Sequence, residues 1–181
     1  MNWYWWVVAV ALLLLFGLWL SQLAGRLDRL HLRIESARNA LELHLARRSG
    51  VVSEIAGSGL LDPASSVVLG ESAAAAREAD PDDLNAVSIV ESELTHALAA
   101  TFAEREDVDE LDAEAGISMS EVLEAACRKV QLARLFHNDA VRACLAIRQR
   151  RLVTLFRLAG HTPLPHSIEL DDSLPPGFAT R

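Results

Sequence analysis

The chain has 181 residues, of which 51% are hydrophobic and 23% charged, and a formal net charge of −8. That is enough for one domain with a packed core, and it excludes bulk disorder and collagen-like structure. The acidic balance argues against a nucleic-acid binder. Aromatic and charged residues are unevenly spread. Trp3, Tyr4, Trp5, Trp6, Phe16 and Trp19 fall in the first twenty residues, and no charged side chain precedes Arg26. Residues 26–48 carry a net charge of +3, residues 49–127 carry −16, and residues 128–160 carry +7.

Residues 3–20 carry no charge, and the charge-free run continues to Gly25. At about 1.5 Å per residue it spans roughly 27–34 Å, close to the hydrocarbon thickness of a bilayer. Trp3, Trp5 and Trp6 at one end, and Phe16 and Trp19 towards the other, fit the interfacial belts of a spanning helix. A cleaved signal peptide would begin with Lys or Arg and end at a small-residue site. Here the start is aromatic, and Leu23-Ala24-Gly25 is a poor cleavage site. The sequence therefore predicts a retained single-pass anchor over 1–24. Arg26, Arg29 and Arg33 follow it with no base before, which places the N-terminus outside and the rest in the cytoplasm. Cys127 and Cys144 fall on one predicted helix, too far apart to pair, as suits a reducing compartment.

From Leu23, the apolar residues Leu27, Leu30, Ile34, Ala37, Leu41 and Leu45 recur at spacings of three or four, and Val52 and Ile55 extend the run. This is a coiled-coil-like amphipathic helix continuing from the anchor. Gly57-Ser58-Gly59 stops it, and Asp62-Pro63 opens an Ala-rich second helix over 64–79. Asp80-Pro81 reads as the start of a third helix over 81–106, with Leu84, Val87, Leu94, Leu98 and Thr101 or Phe102 inward. The acidic stretch Glu104–Glu114 reads as a solvated loop. A fourth helix over 118–159 carries Val122, Ala126, Val130, Ala133, His137, Ala140, Cys144 and Ile147 along one side. Pro163, Pro165, Pro175 and Pro176 mark residues 161–181 as a tail. The expected fold is all-α: the anchor, then an antiparallel four-helix bundle over 25–160.

Candidate chemistry is sparse. Glu93 and His96 form a Glu-x-x-His pair, which di-iron bundles need twice and this chain has once. His137 and Cys144 share a helix side in the manner of a metal or thiol site, but a core histidine and a small hydrophobe are the plainer reading. The acids at 104–114 do not keep a calcium-loop register. Neither a phosphate loop nor a nucleophile elbow is present. The residues therefore point to no catalytic site, no cofactor and no metal.

The stretch Gln131-Leu-Ala-Arg-Leu-Phe136-His137-Asn138-Asp139-Ala140-Val141-Arg142 resembles the Tyr-Asn-Asp-x-Val motif of LemA-family proteins, with Asn138, Asp139, Val141 and Arg142 at matching positions. Leu43-His-Leu45-Ala-Arg47-Arg48 resembles that family's Gln-Leu-x-Arg-Arg, and Glu91–Leu98 its third helix. His137 stands where the family has Tyr, Ser53 where it has Pro, and Cys144-Leu145 where it often has Tyr-Asn. The resemblance implies a divergent bacterial member with an N-terminal span and a cytoplasmic four-helix bundle, and no established enzymatic activity.

The resulting expectation is a non-enzymatic adaptor or assembly element at the cytoplasmic face of the cell membrane, binding protein partners or copies of itself. The alternatives are a metal-assisted hydrolase using Glu93, His96 and His137, and a purely structural membrane oligomer. An up-down-up-down bundle would bring Arg148, Arg150, Arg151 and Arg157 beside Arg26, Arg29 and Arg33 under the bilayer, a basic collar for anionic lipid head groups.

Overall fold

A computed structural model describes residues 3–116, 118–149 and 164–178. Among them are helices α1 (Trp3–Gly57), α2 (Pro63–Glu78), α3 (Leu84–Thr101), α4 (Arg105–Ala115) and α5 (Met119–Arg148), a 3-10 turn at Pro176–Phe178, and no strand. The protein is all-helical, with one N-terminal helix apolar enough to cross a membrane over Trp3–Gln22. The side chains of that stretch lie on the protein's exterior.

The chain divides into two compact units. One comprises Met1–Ser36 with Asp139–His166, and the other Ala37–Asn138 with Ser167–Arg181. In the first unit, Arg26, Arg29 and Arg33 are exposed and Arg148 is half-buried. Arg150, Arg151 and Arg157 lie outside the described residues. Val141 and Cys144 are buried, and Asp139 pairs with Arg142 on the surface. Burial raises the Cys144 thiol above its ordinary value, with Arg148 opposing, so the thiol stays protonated and inert at neutral pH.

The second unit holds two packed clusters. In the larger, Val52 and Ile55 of α1 meet Leu69 of α2, Leu94 and Leu98 of α3, Leu111 of α4 and Leu123 of α5. In the other, Leu41 and Leu45 of α1 meet Val130 and Ala133 of α5 and Ile168 and Leu170 of the C-terminal segment. The expected inward residues Leu41, Leu45, Val52, Ile55, Leu94, Leu98, Val130 and Ala133 are thus buried, whereas Val122 is exposed and its neighbour Leu123 takes the inward place at the start of α5.

Helix starts follow local chemistry. Asp62 caps α2 by accepting the amides of Ala64 and Ser65 at 2.9 and 3.2 Å, with Pro63 in the first turn. The third helix begins later than Asp80-Pro81 predicts. The Asp80 carboxylate takes the Asp82 amide at 3.0 Å and closes a turn, and Asp83 caps α3 through Asn85 and Ala86. Two cap-competent aspartates three residues apart compete, and the second wins because the first is used in the turn.

The acidic stretch is a helix and not a loop. Asp107 accepts the Glu104 amide at 2.8 Å at the start of α4, and Glu106 and Asp107 lie at the positive end of its dipole. Val108 and Leu111, three apart, are buried. Gly116, with φ 66°, ends it in a left-handed conformation that favours glycine.

The proline-rich segment is likewise not a free tail. Residues 167–175 are irregular but seated and lead into the 3-10 turn, with Ile168, Leu170 and Phe178 buried. We call this segment the strap. Gly177 donates its amide to the Phe102 carbonyl at 3.0 Å, and the Phe178 ring meets Phe102 edge-on at 5.8 Å. A Cβ on Gly177 would lie 2.3 Å from the Glu104 carbonyl oxygen and 2.9 Å from Val108 Cγ2. Since backbone cannot yield, Gly177→Ala is expected to lower the stability of the full chain by about 1–3 kcal/mol in thermal denaturation, the usual range for overpacking.

Candidate functional site

The most developed polar constellation in the second unit is buried. Arg48 and Glu91 are 1% and 2% exposed. Arg48 Nη2 donates to Glu91 Oε2 at 2.5 Å and to the Glu91 carbonyl at 3.1 Å, and Nη1 donates to Thr95 Oγ1 at 3.0 Å. Thr95 Oγ1 in turn donates to the strap carbonyl of Asp171 at 2.7 Å. The guanidinium therefore joins α1 to α3 directly, and to the strap through one hydroxyl. Burial pushes the Glu91 carboxyl up, while the charge and hydrogen bond of Arg48 pull it back. Burial also raises the Cys127 thiol, against a smaller lowering by Arg48. Both cysteines are free and buried, so structural thiols fit them better than nucleophiles.

The local sequence dictates this placement. Arg48 sits in the register Leu41, Leu45, Arg48, Val52, Ile55, and Glu91 in the register Leu84, Val87, Glu91, Leu94, Leu98. Each charge occupies the inward face of its helix, so each must find the other or remain unpaired.

Side chains of α3 and α5 hold the strap by its backbone. Asn138 Nδ2 donates to the Ile168 carbonyl, and Asn138 Oδ1 accepts the Ile168 amide, each at 3.0 Å. Ser92 accepts the Asp171 amide at 3.0 Å, and Gln131 donates to the Asp172 carbonyl at 2.6 Å. Arg134 grips the Asp172 carboxylate through Nε at 2.6 Å and Nη2 at 3.1 Å. Asp172 in turn raises Arg134 further above its ordinary value. These contacts supply the partners that a proline-containing irregular segment cannot find in itself.

Asp171 is held below the ordinary carboxylate range, first by the Ser173 amide that it accepts and then by the Ser173 side chain, with a smaller part from His96. A lowered folded pKa means that its contribution is present above the unfolded value, about 3.9, and is lost as pH falls through the folded value. Proteolysis within residues 164–178 is therefore expected to speed up below about pH 4, and the Asp171→Asn variant is expected to lose that dependence.

Beside the buried pair lies a cavity of about 400 Å³. Its apolar walls include Leu41 and Leu45 of α1, Ala76 of α2, Leu84 and Val87 of α3, and Ile168 of the strap. Its polar groups are Glu91 together with Arg38, Glu42 and Arg77. Arg38 is engaged by Glu42 and Asp82, each at 2.8 Å, and by the Pro81 carbonyl at 2.7 Å.

Other residues singled out in the sequence are not brought together. Glu93 is exposed, His96 lies 3.3 Å from Asp171 on the surface, and His137 is buried. Among the described residues, no group of three or more His, Cys, Asp or Glu is placed to hold a metal ion, so Glu93, His96 and His137 form no such set. Asn138 acts as the strap clamp. Comparison with family models, curated proteins and solved structures finds no match to this chain.

Proposed function

We propose that the protein is a single-pass, membrane-anchored adaptor whose helical part stands at the cytoplasmic face and presents a docking face to a protein partner. The observation that carries this reading is on α5. Leu132, Leu135 and Phe136 are 52%, 51% and 54% exposed, and their spacing puts them on one side of the helix. A cluster of large apolar side chains facing water marks an interaction surface more often than an accident of sequence. The exposed apolar span Trp3–Gln22 supports attachment to a membrane. Exposed Arg26, Arg29 and Arg33 directly after the span favour the cytoplasmic side and attraction to anionic lipid head groups. The resemblance to the LemA family agrees with a membrane-tethered helical protein without enzymatic activity.

A photocrosslinking amino acid at position 135 in living cells tests the proposal. Discrete protein adducts are expected there and not from the same probe at exposed Glu54. Absence of any protein adduct at 135 would overturn the adaptor reading. An adduct of exactly twice the subunit mass would show the face to serve self-assembly.

A further inference from the structure

The strap is held in the way a separate peptide is held. Ile168 and Leu170 are buried at alternate positions and Glu169 between them is exposed, the alternation of an extended segment. Asn138 takes both the amide and the carbonyl of Ile168, Ser92 accepts the Asp171 amide, and Thr95 and Gln131 donate to the carbonyls of Asp171 and Asp172. Arg134 closes on the Asp172 carboxylate through two nitrogens, which fixes the register. Main-chain groups are thus read by side chains of α3 and α5, while alternate apolar side chains enter the core, as in peptide recognition generally. None of these contacts depends on which chain supplies the segment.

The attachment of the strap bears on exchange. Its seat lies within Ala37–Asn138 and the strap begins at Ser167, but the intervening Asp139–His166 belongs to the first unit. Within the second unit the strap is therefore a separate piece, reached from α5 only through residues of another compact unit. Such a segment is suited to exchange, because an identical piece from another copy remakes every bond that is lost.

The contacts also select the occupant. A foreign segment has to reproduce two apolar residues at alternate positions followed by a carboxylate placed for Arg134. The strap of a second copy does so by identity. Once one strap has crossed, its own seat is vacant for the strap of the partner, and the second transfer is intramolecular. We propose that two copies of the chain exchange straps, each seated on α3 and α5 of the other, in a symmetric dimer. Leu132, Leu135 and Phe136 take no part, so the exchange goes beyond the docking face and does not rest on it.

A charge swap between positions 134 and 172 tests this in the full chain. Arg134→Asp sets two acids together in its own seat, and Asp172→Arg sets two bases together. Each variant alone is expected to be cleaved faster within the strap. In a mixture, the strap of the first variant meets an intact Arg134, and the strap of the second meets the acid introduced at position 134. Co-expression of the two with different tags is expected to slow cleavage about tenfold relative to either alone, the equivalent of one restored hydrogen bond to a charged group, and each tag should retain the other chain. Unchanged cleavage in the mixture would overturn the inference. Retention without restored protection would do the same, since it marks a dimer formed elsewhere, such as through the face at Leu135. A second arm serves if either variant loses its helical circular dichroism. It places a photocrosslinking amino acid at position 169, in one of two tagged and otherwise unaltered copies. Adducts with α3 or α5 of the other copy are expected, and label confined to the probe's own chain would overturn the exchange while leaving any adduct at position 135 unaffected.

Discussion

Glu91→Ala is expected to destabilise the protein by about 3–5 kcal/mol, because it leaves the Arg48 guanidinium charged and unpaired in the core. The loss is that of an uncompensated charge and not the net worth of the pair. Arg48 Nε already has no hydrogen-bond partner among the described residues, so the group has no reserve contacts with which to absorb the change. The reciprocal Arg48→Ala should cost a similar amount through the abandoned carboxylate. The double variant Arg48→Met with Glu91→Leu removes both charges at similar volume and should recover most of the loss, with stability near the wild type. Chemical denaturation of the four proteins in the same lipid environment forms the cycle. Additive losses in the double variant would mean that Arg48 and Glu91 act separately and that the 2.5 Å contact carries no coupling.

Asn138→Ala is the second large effect. The side chain satisfies both the amide and the carbonyl of Ile168, and Asn138 and Ile168 are 5% and 3% exposed. Truncation leaves two buried backbone groups without partners, at about 1–3 kcal/mol each. The strap can avoid that cost by leaving its seat, which exposes Ile168 and Leu170. The expected result is therefore a fall in stability of about 2–4 kcal/mol together with new proteolytic cleavage within residues 164–178. Asn138→Asp keeps one acceptor but sets a carboxylate against the Ile168 carbonyl, and should release the strap as well. Full resistance of both variants to proteolysis would show that Thr95, Gln131 and Arg134 hold the strap without Asn138.

Asn138→Ala also separates the strap from the docking face. Releasing the strap in Asn138→Ala removes Ile168 from the cavity wall. Leu132, Leu135 and Phe136 have no part in the clamp, and crosslinking through position 135 should persist. Loss of that crosslinking together with release of the strap would indicate unfolding, which helical circular dichroism reports directly.

Much of the architecture was legible because it rests on periodicity and local chemistry. The exposed apolar run Trp3–Gln22, the inward residues Leu41, Leu45, Val52 and Ile55, and the Asp62-Pro63 start of α2 all follow from spacing, hydropathy and capping. The buried pair was missed, although Arg48 and Glu91 each interrupt an apolar stripe at a position where the helix turns inward. What the sequence could not provide was the pairing, since registers along two separate helices do not say which residues face one another. Around α4, the seven acids of Glu104–Glu114 outweighed the short stripe of Val108 and Leu111, although acids in the first turn also favour a helix N-terminus. The strap could be decided only in three dimensions. Its prolines disfavour an α-helix, and a segment with few internal hydrogen bonds reads as a tail unless another part of the chain supplies partners. Here Ser92 and Thr95 on α3 and Gln131, Arg134 and Asn138 on α5 supply them, across separations of 30 to 79 residues. No local pattern encodes that distance, so the clamp and the cavity wall at Ile168 belong to the tertiary structure alone.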